Sequence, residues 1–165
     1  MMATSEPGLF VRVDDRLIHG QVVTTWVRHL STSVIWVVSD RARAEPIEVV
    51  LLKSSVPPDL TLEVYSLQEA ASAWTRFSGR RLLLLFERLE DVVQAFDLHV
   101  PVCSVNLGGL RYRPGSVALT KAVYIGESES HSLQHMETRG IRTTIQMLPH
   151  DRKIDVYELF RGKSR

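Results

Sequence analysis

The chain has 165 residues, a length that suits one domain with a sizeable buried core. Hydrophobic residues make up 44% and charged residues 24%, as in ordinary globular proteins that dissolve in water. The chain has 20 basic and 19 acidic residues, and no basic stripe is interleaved with aromatic residues. The composition therefore argues against a nucleic-acid-binding protein.

The sequence predicts neither secretion nor membrane insertion. Residues 1–7 are small and polar, so we expect a disordered tail rather than a targeting segment. The most apolar stretch, Leu82 to Phe86, is far shorter than the ~20 residues that a membrane span needs. The single cysteine, Cys103, lies in an apolar run and is predicted to be a buried, inert thiol, which favours a reducing, cytoplasmic setting.

In chain order, apolar runs of strand length alternate with segments of helical periodicity. The predicted strands are Leu9–Val13, Val34–Ser39, Thr61–Tyr65, Arg81–Phe86, Val102–Leu107, Ala122–Ile125 and Arg142–Leu148. The predicted helices are Gln21–Leu30, Ile47–Ser55, Leu67–Phe77, Leu89–Leu98, Ser130–Arg139 and a short tail helix near Ile154–Phe160. Alternation of this kind is typical of a parallel α/β sheet.

Local signals agree with this assignment. Ser66 and Glu69 form the pattern of a capping box, and Gly140 suits the position after a helix end. The run Leu82–Phe86 is apolar on both alternating faces, as in a strand covered by helices on both sides. We therefore predict one α/β domain over residues 8–165, a doubly wound, open twisted sheet of about seven mainly parallel strands flanked by helices.

Residues 12–23, Arg-Val-Asp-Asp-Arg-Leu-Ile-His-Gly-Gln-Val-Val, are the most informative stretch of the chain. His19 lies where the first predicted strand gives way to a helix, a place where backbone N–H groups bind anions. Arg16 is a permanent cation suited to phosphate, and Gly20 would let the backbone approach it closely. Asp14 could orient a ring nitrogen of His19, although Asp15 could equally face the site.

This stretch predicts a site that holds phosphate on, or beside, a histidine, whose neutral imidazole is a nucleophile near neutral pH. A purely structural alternative exists. Asp14 or Asp15 could cap the first helix, and His19 could be an ordinary surface imidazole.

Other residues at the carboxyl ends of the predicted strands could surround the same crevice. Ser39 and Asp40 follow the second strand and are either supporting site residues or simply polar strand ends. The segment Asn106-Leu107-Gly108-Gly109 is predicted to be a loop whose backbone amides could help to frame a phosphate.

No metal or other cofactor is expected. His131 and His135 lie four residues apart on a predicted helix, but no third ligand is identifiable from the spacing. The glycines form neither of the common nucleotide-binding patterns.

The nine residues from Asp14 to Val22 resemble the signature of the enzyme IIB components of bacterial sugar phosphotransferase systems (PTS), in the mannose/fructose/sorbose class. Ile35–Asp40 resembles the family's second strand and its polar end, and Asn106–Leu110 its N-x-G-G loop. Lys121–Val123 and Ile145–Pro149 fall where the family places late strands. The resemblance covers about residues 8–160, whereas residues 41–46 depart from the family's acidic segment.

The resemblance implies a protein-N(pi)-phosphohistidine–sugar phosphotransferase. His19 would receive phosphoryl from a phosphohistidine of the enzyme IIA partner and pass it to a sugar held by the membrane-embedded IIC and IID partners. Arg16 would bind the phosphoryl group in a loop with Asp15, Gly20 and Gln21. Arg12, Arg16 and Arg28 could attract the phosphorylated IIA surface.

By the same resemblance, the protein would be cytoplasmic and peripheral at the inner membrane through IIC and IID. The IIA unit would be supplied by a separate chain, and family analogy favours a homodimer. Two alternatives stay open. The chain could be a regulatory histidine phosphoprotein of a PTS without a transport role, or a non-catalytic anion-binding α/β domain.

Overall fold

The computed structural model describes residues 8–78 and 81–163, without the side chains of Gln21, Val22 and Lys163. The predicted disordered tail, residues 1–7, lies outside the described residues. The strands of the described part are β1 (Leu9–Asp14), β2 (Val34–Val38), β3 (Thr61–Tyr65), β4 (Leu82–Phe86), β5 (Ser104–Gly109), β6 (Val117–Ala118), β7 (Tyr124–Ile125), β8 (Arg142–Ile145) and β9 (Ile154–Asp155). The helices are α1 (Gly20–Leu30), α2 (Asp40–Ala44), α3 (Pro46–Ser54), α4 (Leu67–Trp74), α5 (Leu89–Asp97), α6 (Glu127–Thr138) and α7 (Val156–Lys163).

A seven-stranded sheet with the order β3-β2-β4-β1-β5-β8-β9 forms the centre of the molecule. All neighbouring pairs are parallel except β8 and β9. Strands β2, β3 and β4 all lie on one side of β1 within the sheet. After β4 the chain crosses over, and β5, β8 and β9 lie on the other side of β1. Ligands of open α/β sheets bind at such a reversal, beyond the carboxyl ends of the strands. The prediction of a doubly wound sheet is confirmed.

Two apolar cores cover the two faces of the sheet. One packs α4, α5, α6 and α7 against the strands, and the other packs α1, α2 and α3. The central strand β4 is buried along its whole length, as its unbroken apolar sequence predicts. Ser66 and Glu69 form the predicted capping box at α4, and Gly140, with a φ of +72°, follows α6.

The pairing of β1 with β5 fixes the position of the loop that follows β1. Arg12 lies opposite Asn106 and Asp14 opposite Gly109, with a shift of register between Val13 and Asp14. At this shift, one extra residue of β5, Gly108, lies between the partners of Val13 and Asp14, as in a β-bulge. Asp14 therefore lies at the carboxyl end of the central strands.

One prediction about a late strand is wrong, and the predicted tail helix is present as α7 but begins two residues later. Residues 122–125 do not join the main sheet, because Tyr124 and Ile125 pair with Val117 and Ala118 in a separate antiparallel ribbon. The seventh strand is instead β9, which lies in the segment predicted as a tail helix. Asp155 Oδ1 accepts the backbone N–H of Tyr157 at 2.8 Å, so the helix begins only after Asp155.

Three further local predictions are corrected. Asn106 to Gly109 form the end of β5 rather than a loop. The strand predicted to reach Leu148 ends at Ile145. The next two carbonyl groups, of Gln146 and Met147, instead accept hydrogen bonds from the side chains of Arg12 on β1 and Trp26 on α1. Cys103 is half-buried rather than buried, because it precedes β5 and lies outside the sheet.

Candidate functional site

The loop between β1 and α1 is held at both of its ends. Asp15 donates its backbone N–H to the carbonyl of Gly109 at 3.0 Å, and Leu17 donates to the carbonyl of Asp14 at 2.9 Å. The Leu17 side chain is buried in the core beside α1. Gly20, the first residue of α1, has a φ of +39°, which favours glycine. The loop is therefore a defined turn that delivers His19 to the start of a helix.

Asp14 is the centre of the polar contacts in this loop, and its side chain is 1% exposed. Its Oδ1 accepts the backbone N–H of Arg16 at 3.1 Å and Arg16 Nε at 3.0 Å. Its Oδ2 lies 3.0 Å from His19 Nε2, 3.1 Å from Arg16 Nη2 and 3.4 Å from Arg12 Nη2. One buried carboxylate thus binds two guanidinium groups and an imidazole.

The contacts of Asp14 determine its charge. Burial acts to raise the pKa of Asp14, but hydrogen bonds from His19 and Arg16 outweigh burial and lower this pKa to about 2. The carboxylate is therefore ionised at neutral pH. The hydrogen bond to Asp14 also raises the pKa of Arg16 above its usual value.

His19 precedes α1 in an extended conformation, and its side chain is 21% exposed. The contact between Nε2 and Asp14 leaves the other ring nitrogen, Nδ1, pointing away from the carboxylate. Within the described part of the chain, no residue hydrogen-bonds Nδ1. The first backbone N–H groups of a helix have no partner inside the helix, and those of α1 begin directly after His19.

Asp14, not Asp15, is the carboxylate beside His19. The Asp15 side chain instead accepts the backbone N–H of Arg111 at 2.8 Å and Arg111 Nε at 3.0 Å. Asp15 therefore anchors the loop to the chain that follows β5. Gln21 belongs to α1, but its side chain lies outside the described residues.

Arg16 is the accessible cation of the site, with a side chain 44% exposed. It borders a cleft of about 580 Å³ that is lined also by Arg41, Glu48, Glu87 and Arg111. The cleft mixes cationic and anionic side chains, and its floor is closed by Leu17 and Leu52. Arg28 is exposed on α1.

Of the three arginines that could attract a IIA surface, Arg12 is the one that the structure excludes. It is 1% exposed and lies beneath Asp14, so it cannot form part of a docking surface for a partner. The signal was present in the sequence, because Arg12 interrupts the apolar strand Leu9–Val13. Strand alternation alone does not say whether such a residue faces solvent or a buried polar neighbour.

The segment Asn106 to Gly109 lies next to the site but does not line it with open backbone amides. Gly109 is placed against Asp14 and Arg16, since a Cβ there would lie 3.4 Å from Asp14 Oδ1 and 3.2 Å from Arg16 Nη2. Asn106 and Gly108 contact Arg12 instead.

Ser39 and Asp40 belong to a second polar cluster, at the end of β2. Ser39 Oγ donates to Glu87 Oε2 at 2.7 Å and accepts the backbone N–H of Ala42, which caps α2. Asp40 Oδ1 accepts the backbone N–H of Leu67 at 2.8 Å. The geometry thus gives both residues structural contacts and none with His19 among the described contacts.

Among residues 8–78 and 81–163, no group of three or more His, Cys, Asp and Glu side chains could hold a metal ion. His131 and His135 are exposed on α6. No helix in the same ranges combines the length and the apolar character that crossing a membrane requires.

Comparisons with known proteins bear on this geometry. Residues 9–165 match the family model described as the PTS system sorbose subfamily IIB component. The PTS mannose-specific EIIAB component of Escherichia coli K12 is 33% identical over 150 residues, which is 90% of this chain and 46% of that protein. The PTS fructose-specific EIIB component of Bacillus subtilis 168 is 29% identical over 159 residues, covering 95% of this chain and 98% of the relative.

Solved structures agree with the sequence relatives. The IIBSor domain of the sorbose permease from Klebsiella pneumoniae superimposes with a TM-score of 0.88 at 25% identity, over 93% of this chain and 96% of that one. The chain spans about half the length of the mannose-specific EIIAB relatives. Since the family model matches nearly the whole chain, this protein belongs to the sorbose subfamily of PTS IIB components.

Proposed function

We propose that this chain is a phosphocarrier that receives a phosphoryl group on His19 and passes it to a sugar. The donor is a phosphohistidine of enzyme IIA, and the acceptor sugar is held by the IIC/IID membrane complex. The observation that carries the proposal is the 3.0 Å contact between His19 Nε2 and the ionised Asp14, in a ring that is 21% exposed. A carboxylate only accepts hydrogen bonds, so the ring proton belongs on Nε2 and the lone pair on Nδ1.

In the first step, the Nδ1 lone pair attacks phosphorus and the N–P bond of the donor breaks. The electron pair of that bond returns to the donor imidazole. The His19 ring gains positive charge while Nε2 keeps its proton, and the Asp14 carboxylate stabilises that charge. In the second step, a sugar hydroxyl oxygen attacks phosphorus, the new N–P bond breaks toward Nδ1, and the hydroxyl proton passes to a base at the acceptor site.

The groups around His19 suit a transferring phosphoryl group. Arg16 offers a partly exposed guanidinium already fixed by Asp14, and guanidinium groups stabilise the charge on phosphoryl oxygens. The start of α1 adds backbone N–H groups that have no partner within the helix, and the positive end of a helix dipole. Asp14 orients the ring, whereas Asp15 supports the loop through Arg111.

The open position of His19 supports transfer between proteins rather than binding of a free sugar. A partner must bring its own phosphohistidine, and then its own sugar, to a nitrogen near the surface. The EIIAB name of the mannose-specific relatives, of which this chain matches 46%, supports a separate IIA unit as the donor. We place the protein in the cytoplasm, at the inner membrane when it is bound to IIC and IID, and by family analogy as a homodimer.

The test is intact mass spectrometry after incubation with a phosphorylated IIA component. We expect one acid-labile, base-stable phosphoryl adduct on the wild type and none on His19→Ala. His131→Ala, which removes an exposed histidine of α6, should behave as the wild type.

Absence of an adduct with a competent donor would contradict phosphotransfer and favour an anion-binding domain. If the adduct forms but membranes containing IIC and IID with sugar do not consume it, a regulatory phosphoprotein is favoured instead. These outcomes distinguish sugar transport, regulation and anion binding, three functions with which the residues of the loop are equally compatible.

A further inference from the structure

The molecule places a charged side chain inside its core directly under the proposed phosphorylation site. Arg12 on β1 is 1% exposed, and burying a cation is costly unless it is paired and hydrogen-bonded. A buried arginine beside a site therefore needs a physical explanation. None of the steps proposed above uses it.

The contacts of Arg12 come from four different segments. Nη1 donates to Asn106 Oδ1 and to the carbonyl of Gln146, the latter at 3.0 Å. Nη2 donates to the carbonyl of Met147 at 3.2 Å and to Asp14 Oδ2 at 3.4 Å. The guanidinium also lies over the Trp26 ring, 5.2 Å from its centroid. A planar fork with this many partners has one orientation.

The two glycines of β5 make room for this arrangement. A Cβ at position 108 would overlap the Arg12 guanidinium, whereas one at position 109 would touch Asp14 and Arg16. Asn106, two residues before Gly108, supplies a side-chain acceptor to Arg12. The Asn-x-Gly-Gly pattern is thus explained by the housing of a buried guanidinium rather than by open backbone amides.

Arg12 and Arg16 hold the same carboxylate from opposite sides. Arg16 contacts Asp14 from the exposed loop, and Arg12 contacts Oδ2 from the core. Oδ2 is also the oxygen that meets His19 Nε2. Any rotation of the carboxylate that removed Oδ2 from the ring would also lengthen its contact with Arg12.

Resting on the function proposed above, we propose that Arg12 is a positioning residue for phosphoryl transfer. It fixes the Asp14 carboxylate so that Oδ2 holds the Nε2 proton of His19 and Nδ1 stays the free nucleophile. Asn106 and Gly108 serve this purpose by holding Arg12 in place. Arg12 does not touch the phosphoryl group.

The experiment compares Arg12→Met and Gly108→Ala with the wild type. The first variant removes the guanidinium, and the second keeps every charge but displaces the guanidinium by the added methyl group. Arg161→Met, which removes an exposed arginine of α7, is the matched control. Two quantities are measured, the tautomer of the neutral His19 ring by ¹⁵N NMR and the rate of phosphoryl acceptance from IIA.

In the wild type and in Arg161→Met, we expect a ring protonated on Nε2 alone and the same rate of acceptance. In both test variants we expect a mixture of tautomers, with a rate of acceptance at least about tenfold lower. A merely structural role would lower thermal stability without changing the tautomer. Folded test variants with the wild-type tautomer and rate would overturn the proposal.

Arg12→Lys covers the case in which neither test variant folds. It keeps the buried charge but offers one ammonium group in place of a planar fork, so a wild-type tautomer in that variant would also refute the role. Because the tautomer is measured without any donor, failure of the wild type to accept phosphoryl would count against the proposed function alone.

Discussion

The ends of β1 and β2 lie at the same edge of the sheet and carry similar polar residues, yet their charges are arranged in opposite ways. At the end of β1, a single buried carboxylate, Asp14, is contacted by two arginines, Arg12 and Arg16. At the end of β2, a single arginine, Arg41, is contacted by two glutamates, Glu48 and Glu87. The first cluster has an excess of positive charge and the second an excess of negative charge.

This difference explains why only one strand end suits phosphoryl chemistry. Around Asp14 the extra cation can serve an incoming anion, and none of the residues that the structure describes hydrogen-bonds Nδ1 of His19. Around Arg41 the extra charge is anionic and would repel a phosphoryl group. Ser39 Oγ caps α2, and Asp40 Oδ1 accepts the first backbone N–H of α4. Under the proposed function, the polar end of β1 serves catalysis, whereas the polar end of β2 makes structural contacts.

The largest difference between the two clusters is expected when the carboxylate of the first cluster is neutralised. Asp14→Asn should lower the rate of phosphoryl acceptance by about 100-fold, because the ring loses both its orienting partner and its counter-charge. Asp40→Asn, at the matching position after β2, should keep its acceptor oxygen and a near wild-type rate. Rates are measured by quenched-flow mass spectrometry, and equal losses in the two variants would contradict the contrast.

Ionisation of the same carboxylate should make the free energy of unfolding depend on pH in the acid range. Since the pKa of Asp14 falls to about 2 in the folded chain from the ordinary 3.8, the ionised form stabilises the fold by about 2 kcal/mol. This contribution is complete above about pH 4 and is lost as the pH falls through about 2. Urea unfolding of the wild type and Asp14→Asn should show a free-energy difference that narrows over that window. A difference independent of pH would contradict the assignment.

A smaller effect is expected from the exposed cation of the first cluster. Arg16→Gln should lower phosphoryl acceptance by about tenfold, since water and the helix N-terminus replace part of what the guanidinium offers. Arg41→Gln removes another exposed arginine from the same cleft and should leave the rate nearly unchanged. A larger loss of the rate in Arg41→Gln than in Arg16→Gln would indicate that the anion binds at the end of β2.

The smallest expected effect concerns stability alone. Ser39→Ala removes the side-chain cap of α2 and should lower the free energy of unfolding by about 1 kcal/mol. The rate of phosphoryl acceptance should stay within about twofold of the wild type. Thermal denaturation and the mass assay check the two parts, and a tenfold slower rate in a folded variant would mean that the end of β2 takes part in the reaction.

The class of fold and the site loop followed from local patterns in the sequence. Apolar runs alternating with helical periodicity predict a parallel sheet, because each strand must be covered on both faces. The junction between the carboxyl end of β1 and the start of α1 then predicts an anion-binding position for His19. These inferences need only neighbours in the chain and the geometry of the elements.

The tertiary structure alone decided which partner each polar side chain takes. Asp14 and Asp15 are adjacent, but Asp14 contacts Arg16 and His19, whereas Asp15 contacts Arg111 of the segment that follows β5. Arg12 is buried rather than exposed because Asn106 and Gly108, more than 90 positions later, provide an acceptor and a space. Local periodicity carries no information about such distant partners, since pairing of strands, not spacing along the chain, brings them together.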